Sequence, residues 1–105
     1  MQRLLAAASL ALLAGTAAAH PVDLETDAGS LNIAAVVHTD GRVTAVRVAN
    51  NDTMVIRCEA VFRNGPEVGR ARRAIIEPGD SAALSWIPRR TVVRLRVELR
   101  CAPHE

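Results

Sequence analysis

The sequence predicts an all-β protein: an immunoglobulin-like sandwich of six or seven antiparallel strands, after a cleaved signal peptide, with one disulfide. Three observations predict it. Turn signals recur at intervals of roughly ten residues, the rhythm of short strands in a sandwich or barrel. The segments between them alternate apolar and polar residues with period two, as half-buried strands do. The two cysteines, Cys58 and Cys101, fall on the apolar faces of the two clearest of these segments.

The first nineteen residues read as a leader. Met1-Gln2-Arg3 carries one positive charge, and Leu4 to Ala14 is apolar or small except for Ser9. Gly15 breaks the run, and Ala17-Ala18-Ala19 offers the small residues that a signal peptidase accepts. The run is shorter than the about 20 residues that a membrane-spanning helix needs, so no transmembrane anchor is expected after processing. Residues 20–105 then form a single domain, beginning at His20 and located in the periplasm or secreted. A domain of this size buries only about 60% of its unfolded surface, so an added constraint is useful. Export exposes Cys58 and Cys101 to an oxidising compartment, where pairing is expected. The loop that they close corresponds to roughly 4 kcal/mol in the chain-entropy model.

Along the mature chain, Leu31, Ile33, Ala35 and Val37 make one inward stripe, and Thr44, Val46 and Val48 another. Asp40-Gly41 between them is a two-residue hairpin signal. After the turn Asn50-Asn51-Asp52, the residues Met54, Ile56, Cys58, Ala60 and Phe62 share a face. Asn64-Gly65-Pro66 is the next turn. The following segment is ambiguous because of its arginines, with Ala74 and Ile76 as its inward positions. Pro78-Gly79 fits the centre of a type II turn. Leu84 and Trp86 point inward from a short segment. Thr91 to Cys101 is the clearest strand, with Val93, Leu95, Val97, Leu99 and Cys101 on one face. If Cys58 and Cys101 lie opposite one another on neighbouring antiparallel strands, Glu59 faces Arg100, Ala60 faces Leu99 and Phe62 faces Val97. A bond between facing sheets fits the same pattern.

Apart from His, every basic residue is Arg, with no Lys. Residues 21–56 hold two Arg and five acids, whereas residues 57–100 hold ten Arg and five acids. Two readings stand: an anion-binding face, or Arg on the solvent side of strands. The densest group, Arg63, Arg70, Arg72 and Arg73, brackets the turn at Asn64-Gly65-Pro66-Glu67. Guanidiniums so placed suit a carboxylate, phosphate or sulfate taken bidentately. Glu67 is equally suited to neutralise one of them.

The stretch Arg57-Cys58-Glu59-Ala60-Val61-Phe62-Arg63-Asn64-Gly65-Pro66-Glu67, with Arg70-x-Arg72-Arg73, Pro78-Gly79 and Arg94-Leu95-Arg96-Val97-x-Leu99-x-Cys101, resembles a family of small exported proteobacterial β-sandwich proteins. The resemblance covers about half of the mature chain and includes both cysteines. It implies export and no defined activity. Similar chains often carry the label 3-phosphoglycerate kinase. The residues here argue against that chemistry: there is no Lys for phosphates, no Gly-rich nucleotide loop and no room for two lobes.

Other chemistry is sparse. No Ser sits in a nucleophile elbow, and both cysteines are committed to the disulfide, so no enzyme is expected and no cofactor is implied. One Phe, one Trp and no Tyr leave no stacking platform for nucleic acid. The alternative to a non-catalytic binding or structural module is a periplasmic copper-binding protein. A mature N-terminal His20 offers amine and imidazole to Cu(II), with His38 and Asp40 as further ligands. The expected partner of the binding module is an envelope protein, a glycan or a lipid headgroup.

Overall fold

The alternation seen in the sequence resolves into seven strands among the described residues. The computed structural model describes residues 22–89 and 94–105; the expected leader, His20 and the strand start at Thr91 lie outside them. The strands are β1 (Val22–Asp27), β2 (Ile33–Asp40), β3 (Val43–Asn50), β4 (Ile56–Asn64), β5 (Arg70–Ile76), β6 (Ser81–Trp86) and β7 (Leu95–Pro103). They form a four-stranded sheet in the order β1-β7-β4-β5 and a three-stranded sheet in the order β2-β3-β6. The two pack face to face as a sandwich.

The core is aliphatic, as the composition requires. Val46, Val48, Leu84 and Trp86 enter it from one sheet, and Ile56, Ala60, Phe62, Ile76, Leu95, Val97 and Leu99 from the other. A fully buried Val, Leu, Ile or Phe side chain contributes about 1.5–3 kcal/mol, which makes this the main favourable term. Ile33, Ala35 and Val37 pack on the rim of the core, half-buried because β2 is an edge strand. Cys58 lies opposite Cys101 in the antiparallel β4–β7 pair, with Glu59 opposite Arg100, Ala60 opposite Leu99 and Phe62 opposite Val97. The disulfide between them is therefore within one sheet, and its Cα atoms stand 4.1 Å apart. That closeness marks a non-hydrogen-bonded pair, in which side chains approach most nearly.

Several expectations need correction. The strands are not all antiparallel: β1 runs parallel to β7, Val22 opposite Leu95 through Asp27 opposite Arg100. The two strands are remote in sequence, so no hairpin forces them antiparallel. Val22 and Leu24 supply only two apolar residues to the inner face of β1, too few for the alternation to be counted as a strand. Immunoglobulin constant domains place their first two strands side by side in one sheet. Here β1 and β2 belong to different sheets, so the likeness extends to the two-layer architecture. The β2–β3 hairpin turns on Gly41-Arg42, not Asp40-Gly41, because Asp40 still pairs with Val43. Gly41 takes φ 60° and no non-glycine residue among the described residues has positive φ, which is the type II′ pattern with Gly first. Met54 is 44% exposed and precedes β4 instead of continuing its inward face.

The type II turn at Pro78-Gly79 is present: Asp80 N–H donates to Glu77 C=O at 3.0 Å and Gly79 has φ 84°. Asn50, expected only as part of a polar turn, is fully buried. Its Nδ2 donates to Met54 O and to Ile76 O, each at 2.9 Å, and its Oδ1 accepts from Asp52 N–H at 2.9 Å. Its backbone bonds Asp80 O and Gly79 N–H. One side chain thus ties the ends of β3 and β5 and the entry to β4.

Candidate functional site: an arginine groove at the sandwich rim

Strand parity divides the arginine group that the sequence places around one turn. β4 ends at Asn64, and Glu67 N–H donates to Asn64 C=O at 3.0 Å across Gly65-Pro66. The returning strand β5 sets Arg73 opposite Glu59, Arg72 opposite Ala60 and Arg70 opposite Phe62. Glu59 is on the outer face of the sheet; Ala60 and Phe62 are buried. Arg63 and Arg73 therefore stand outside, whereas Arg70 and Arg72 leave β5 on the side that faces the other sheet.

The outer pair is already compensated. Arg73 Nε donates to Glu59 Oε2 at 2.9 Å, and Arg63 Nε lies 3.5 Å from Glu98 Oε1. Exposed pairs of this kind contribute roughly 0–1 kcal/mol. They nevertheless supply each guanidinium with a local counter-charge. A third pair joins Arg94 Nη2 to Asp23 Oδ2 at 3.3 Å.

The inner pair opens a groove. A guanidinium cannot be buried unpaired, so the sheets do not close over Arg70 and Arg72. Arg72 instead reaches across the gap, its Nε donating to Ser85 O of β6 at 3.1 Å. The groove has a volume of about 890 Å³ and runs along the β5 and β6 rims. Arg70, Arg72 and Arg89 line it together with Trp86, Ile87 and Glu67. Its walls are apolar in part: Ile87 is 57% and Val68 86% exposed. Trp86 is nearly buried, its ring centroid 5.9 Å from that of Phe62. Glu67, expected as a partner for one of the arginines, instead has Oε2 shielded from solvent without a hydrogen bond. Among the described residues the three ion pairs use Arg63, Arg73 and Arg94, and none uses Arg70, Arg72 or Arg89.

Of the four arginines marked in the sequence, the structure thus brings two together and sends two elsewhere. Arg89 and Trp86 join the site without any sequence motif. Arg89 follows Pro88, whose carbonyl accepts from Arg42 Nη2 at 3.0 Å; that bond holds the chain beside the β2–β3 hairpin. Neither His38 nor Asp40, expected as copper ligands, lines this groove. His38 and Asp40 are exposed on β2, paired in register with Ala45 and Val43, and His20 is outside the described residues. Among the described residues no group of three or more His, Cys, Asp and Glu comes together as a metal site. His104, near the end of the chain, is held by its backbone N–H on Val55 O at 2.9 Å.

Asp52 is held in its charged form by the backbone around it. Its carboxylate accepts from Asn32 N–H at 2.9 Å and from Thr53 N–H at 2.7 Å, and these two backbone bonds, Asn32 first, hold its carboxyl below the ordinary aspartate range. It lies in the β3–β4 connection, away from the groove, and its role is structural. Comparison with known proteins returns no matching family model, no matching curated protein and no matching solved structure.

Proposed function

We propose that this chain is a non-catalytic binding module of the bacterial cell envelope, and that the rim groove takes an anionic group of its partner. The observation that carries the reading is the gathering of Arg70, Arg72 and Arg89 on one partly apolar groove while Arg63 and Arg73, the other two arginines around the same turn, are paired with carboxylates on the outer face. Guanidiniums in a groove with low-dielectric walls attract anions more strongly than the same charges on an open surface. The planar fork of Arg favours carboxylate, phosphate or sulfate taken bidentately. Binding of this kind requires no nucleophile–base pair. The leader-like first nineteen residues and the Cys58–Cys101 bond support an exported location, since disulfides persist in oxidising compartments. The resemblance of Arg57–Glu67 and its flanking motifs to small exported proteobacterial proteins points the same way.

The test is a binding titration of purified, disulfide-bonded protein against a sulfated or uronic-acid polysaccharide and, separately, against vesicles with and without anionic lipid. Arg70→Ala and Arg89→Ala are expected to weaken binding about tenfold or more together, with strong dependence on salt. Arg100→Ala, on the outer sheet face, serves as the control. Equal loss with Arg100→Ala, or none with Arg70→Ala and Arg89→Ala, removes the groove as the site.

A further inference from the structure

The four-stranded sheet ends in two edges of opposite charge. β1, at one edge, reads Val-Asp-Leu-Glu-Thr-Asp and holds Asp23, Glu25 and Asp27 with no base. β5, at the other, reads Arg-Ala-Arg-Arg-Ala-Ile-Ile and holds Arg70, Arg72 and Arg73 with no acid. Proteins commonly place charge on edge strands so that copies do not pair there. Two like-charged edges achieve this, because like charges directly opposite are destabilising. Oppositely charged edges achieve it only against pairing of an edge with its own kind, and favour pairing of β5 with β1.

Register and direction both suit that pairing. β1 is parallel to β7, β7 is antiparallel to β4, and β4 is antiparallel to β5. β1 and β5 therefore point the same way, and a second copy moved sideways, without being turned over, sets its β1 alongside β5 as a parallel neighbour. One row of outer-face residues crosses the whole sheet: Asp27 opposite Arg100, Arg100 opposite Glu59, Glu59 opposite Arg73. The signs alternate along it. Asp27 of a following copy beside Arg73 continues the alternation across the boundary. Arg73 is 78% exposed on its side chain despite its bond to Glu59, so it is reachable. On the inner side of β1, Val22 and Leu24 are only partly buried, and a neighbouring strand shields them further.

We propose that the protein associates head-to-tail with copies of itself, the Arg-bearing edge β5 of one copy docking on the acidic edge β1 of the next. The contact is heterologous: two different surfaces meet, and the docked pair keeps one free edge of each sign. Such contacts build open chains unless a rotation closes them into a ring. This inference shares Arg70 and Arg72 with the groove reading but is tested apart from it, through Asp27 and Arg73 of the outer row, neither of which lines the groove.

Sedimentation velocity of the purified, disulfide-bonded protein tests it. At low salt the weight-average mass is expected to rise with concentration beyond a dimer, and to fall towards the monomer in ~0.5 M salt, where the screening length is only a few ångströms. Arg73→Glu alone and Asp27→Arg alone are each expected to weaken association about tenfold or more. An equimolar mixture of these two variants is expected to restore it, since each carries the edge sign that the other has lost. Circular dichroism and thiol titration establish that both variants are folded and bonded. A monomer at every concentration, association indifferent to salt and to both reversals, or a mixture no more associated than its components, overturns the proposal.

Discussion

Asn50 donates through Nδ2 to the carbonyl of Ile76 at 2.9 Å, from a position with no solvent exposure. The same amide nitrogen serves Met54 O, and the amide oxygen takes Asp52 N–H. A buried amide that satisfies three backbone groups is costly to remove, because those groups are then left dry and unpaired. Asn50→Ala is expected to cost about 2–4 kcal/mol, from roughly 1–3 kcal/mol for each buried group left without a partner and some relaxation to water. Urea unfolding measures it. A midpoint unchanged from the parent chain would mean that water replaces the amide without loss.

The Cys58–Cys101 bond spans a sequence separation of 43 and joins the two central strands of the larger sheet. Its main effect is on the unfolded chain, which it keeps from expanding. Replacing both cysteines by Ala is expected to lower stability by roughly 4 kcal/mol on the loop-entropy model, with β4–β7 pairing otherwise kept. Denaturant midpoints with and without reductant give the value. If the reduced protein unfolds at the same midpoint, the bond is structurally idle.

How far the sequence reveals this molecule depends on how each signal arises. The β4–β7 register was legible only as one of two arrangements, because the alternation and the cysteines fit neighbouring strands and facing sheets alike; the structure takes the first, and each pair from Cys58–Cys101 to Phe62–Val97 that it requires is present. Thr44, Val46 and Val48, and Leu84 and Trp86, were legible for the simpler reason that a two-layer sandwich buries one face of each strand. Strand β1 was not legible, because an edge strand covered on one side only needs few apolar residues. Nor was the division of the arginine group. Arg70, Arg72 and Arg73 are near neighbours in the chain, but which face each occupies depends on the phase of β5 against β4, which the ambiguous composition of β5 conceals. Arg89 enters the groove through a tertiary contact, Arg42 on Pro88, to which no local pattern points.

Asp52 gives the structure an acid-sensitive point. Its pKa is lowered in the folded chain, chiefly by the backbone N–H of Asn32 and then that of Thr53. A lowered carboxyl pKa contributes stability above the unfolded value, and that contribution is lost as pH falls through the folded value. The expected result is a decline in stability on acidification below about pH 4, the ordinary aspartate range. It should be smaller in Asp52→Asn, which no longer titrates. A carboxyl titration by NMR checks the first step. An Asp52 midpoint at or above that of an unstructured aspartate contradicts the bonding described here.

Phe62 links the core to the groove. It is fully buried, stands opposite Arg70 in the β4–β5 register and packs its ring at 32° to that of Trp86. Truncation to Ala leaves a void beneath Trp86 that the aliphatic neighbours fill only in part, and is expected to cost about 3–5 kcal/mol. Phe62→Leu keeps most of the volume, and is expected to cost less than about 1.5 kcal/mol. Trp86 is the only Trp, so its fluorescence reports this spot alone. In Phe62→Leu the fold should persist while Trp86 emission shifts to the red, as the indole loses its ring contact and gains water from the groove side. Unchanged emission together with native stability would show that Trp86 is held by other neighbours, and that the groove wall does not depend on Phe62.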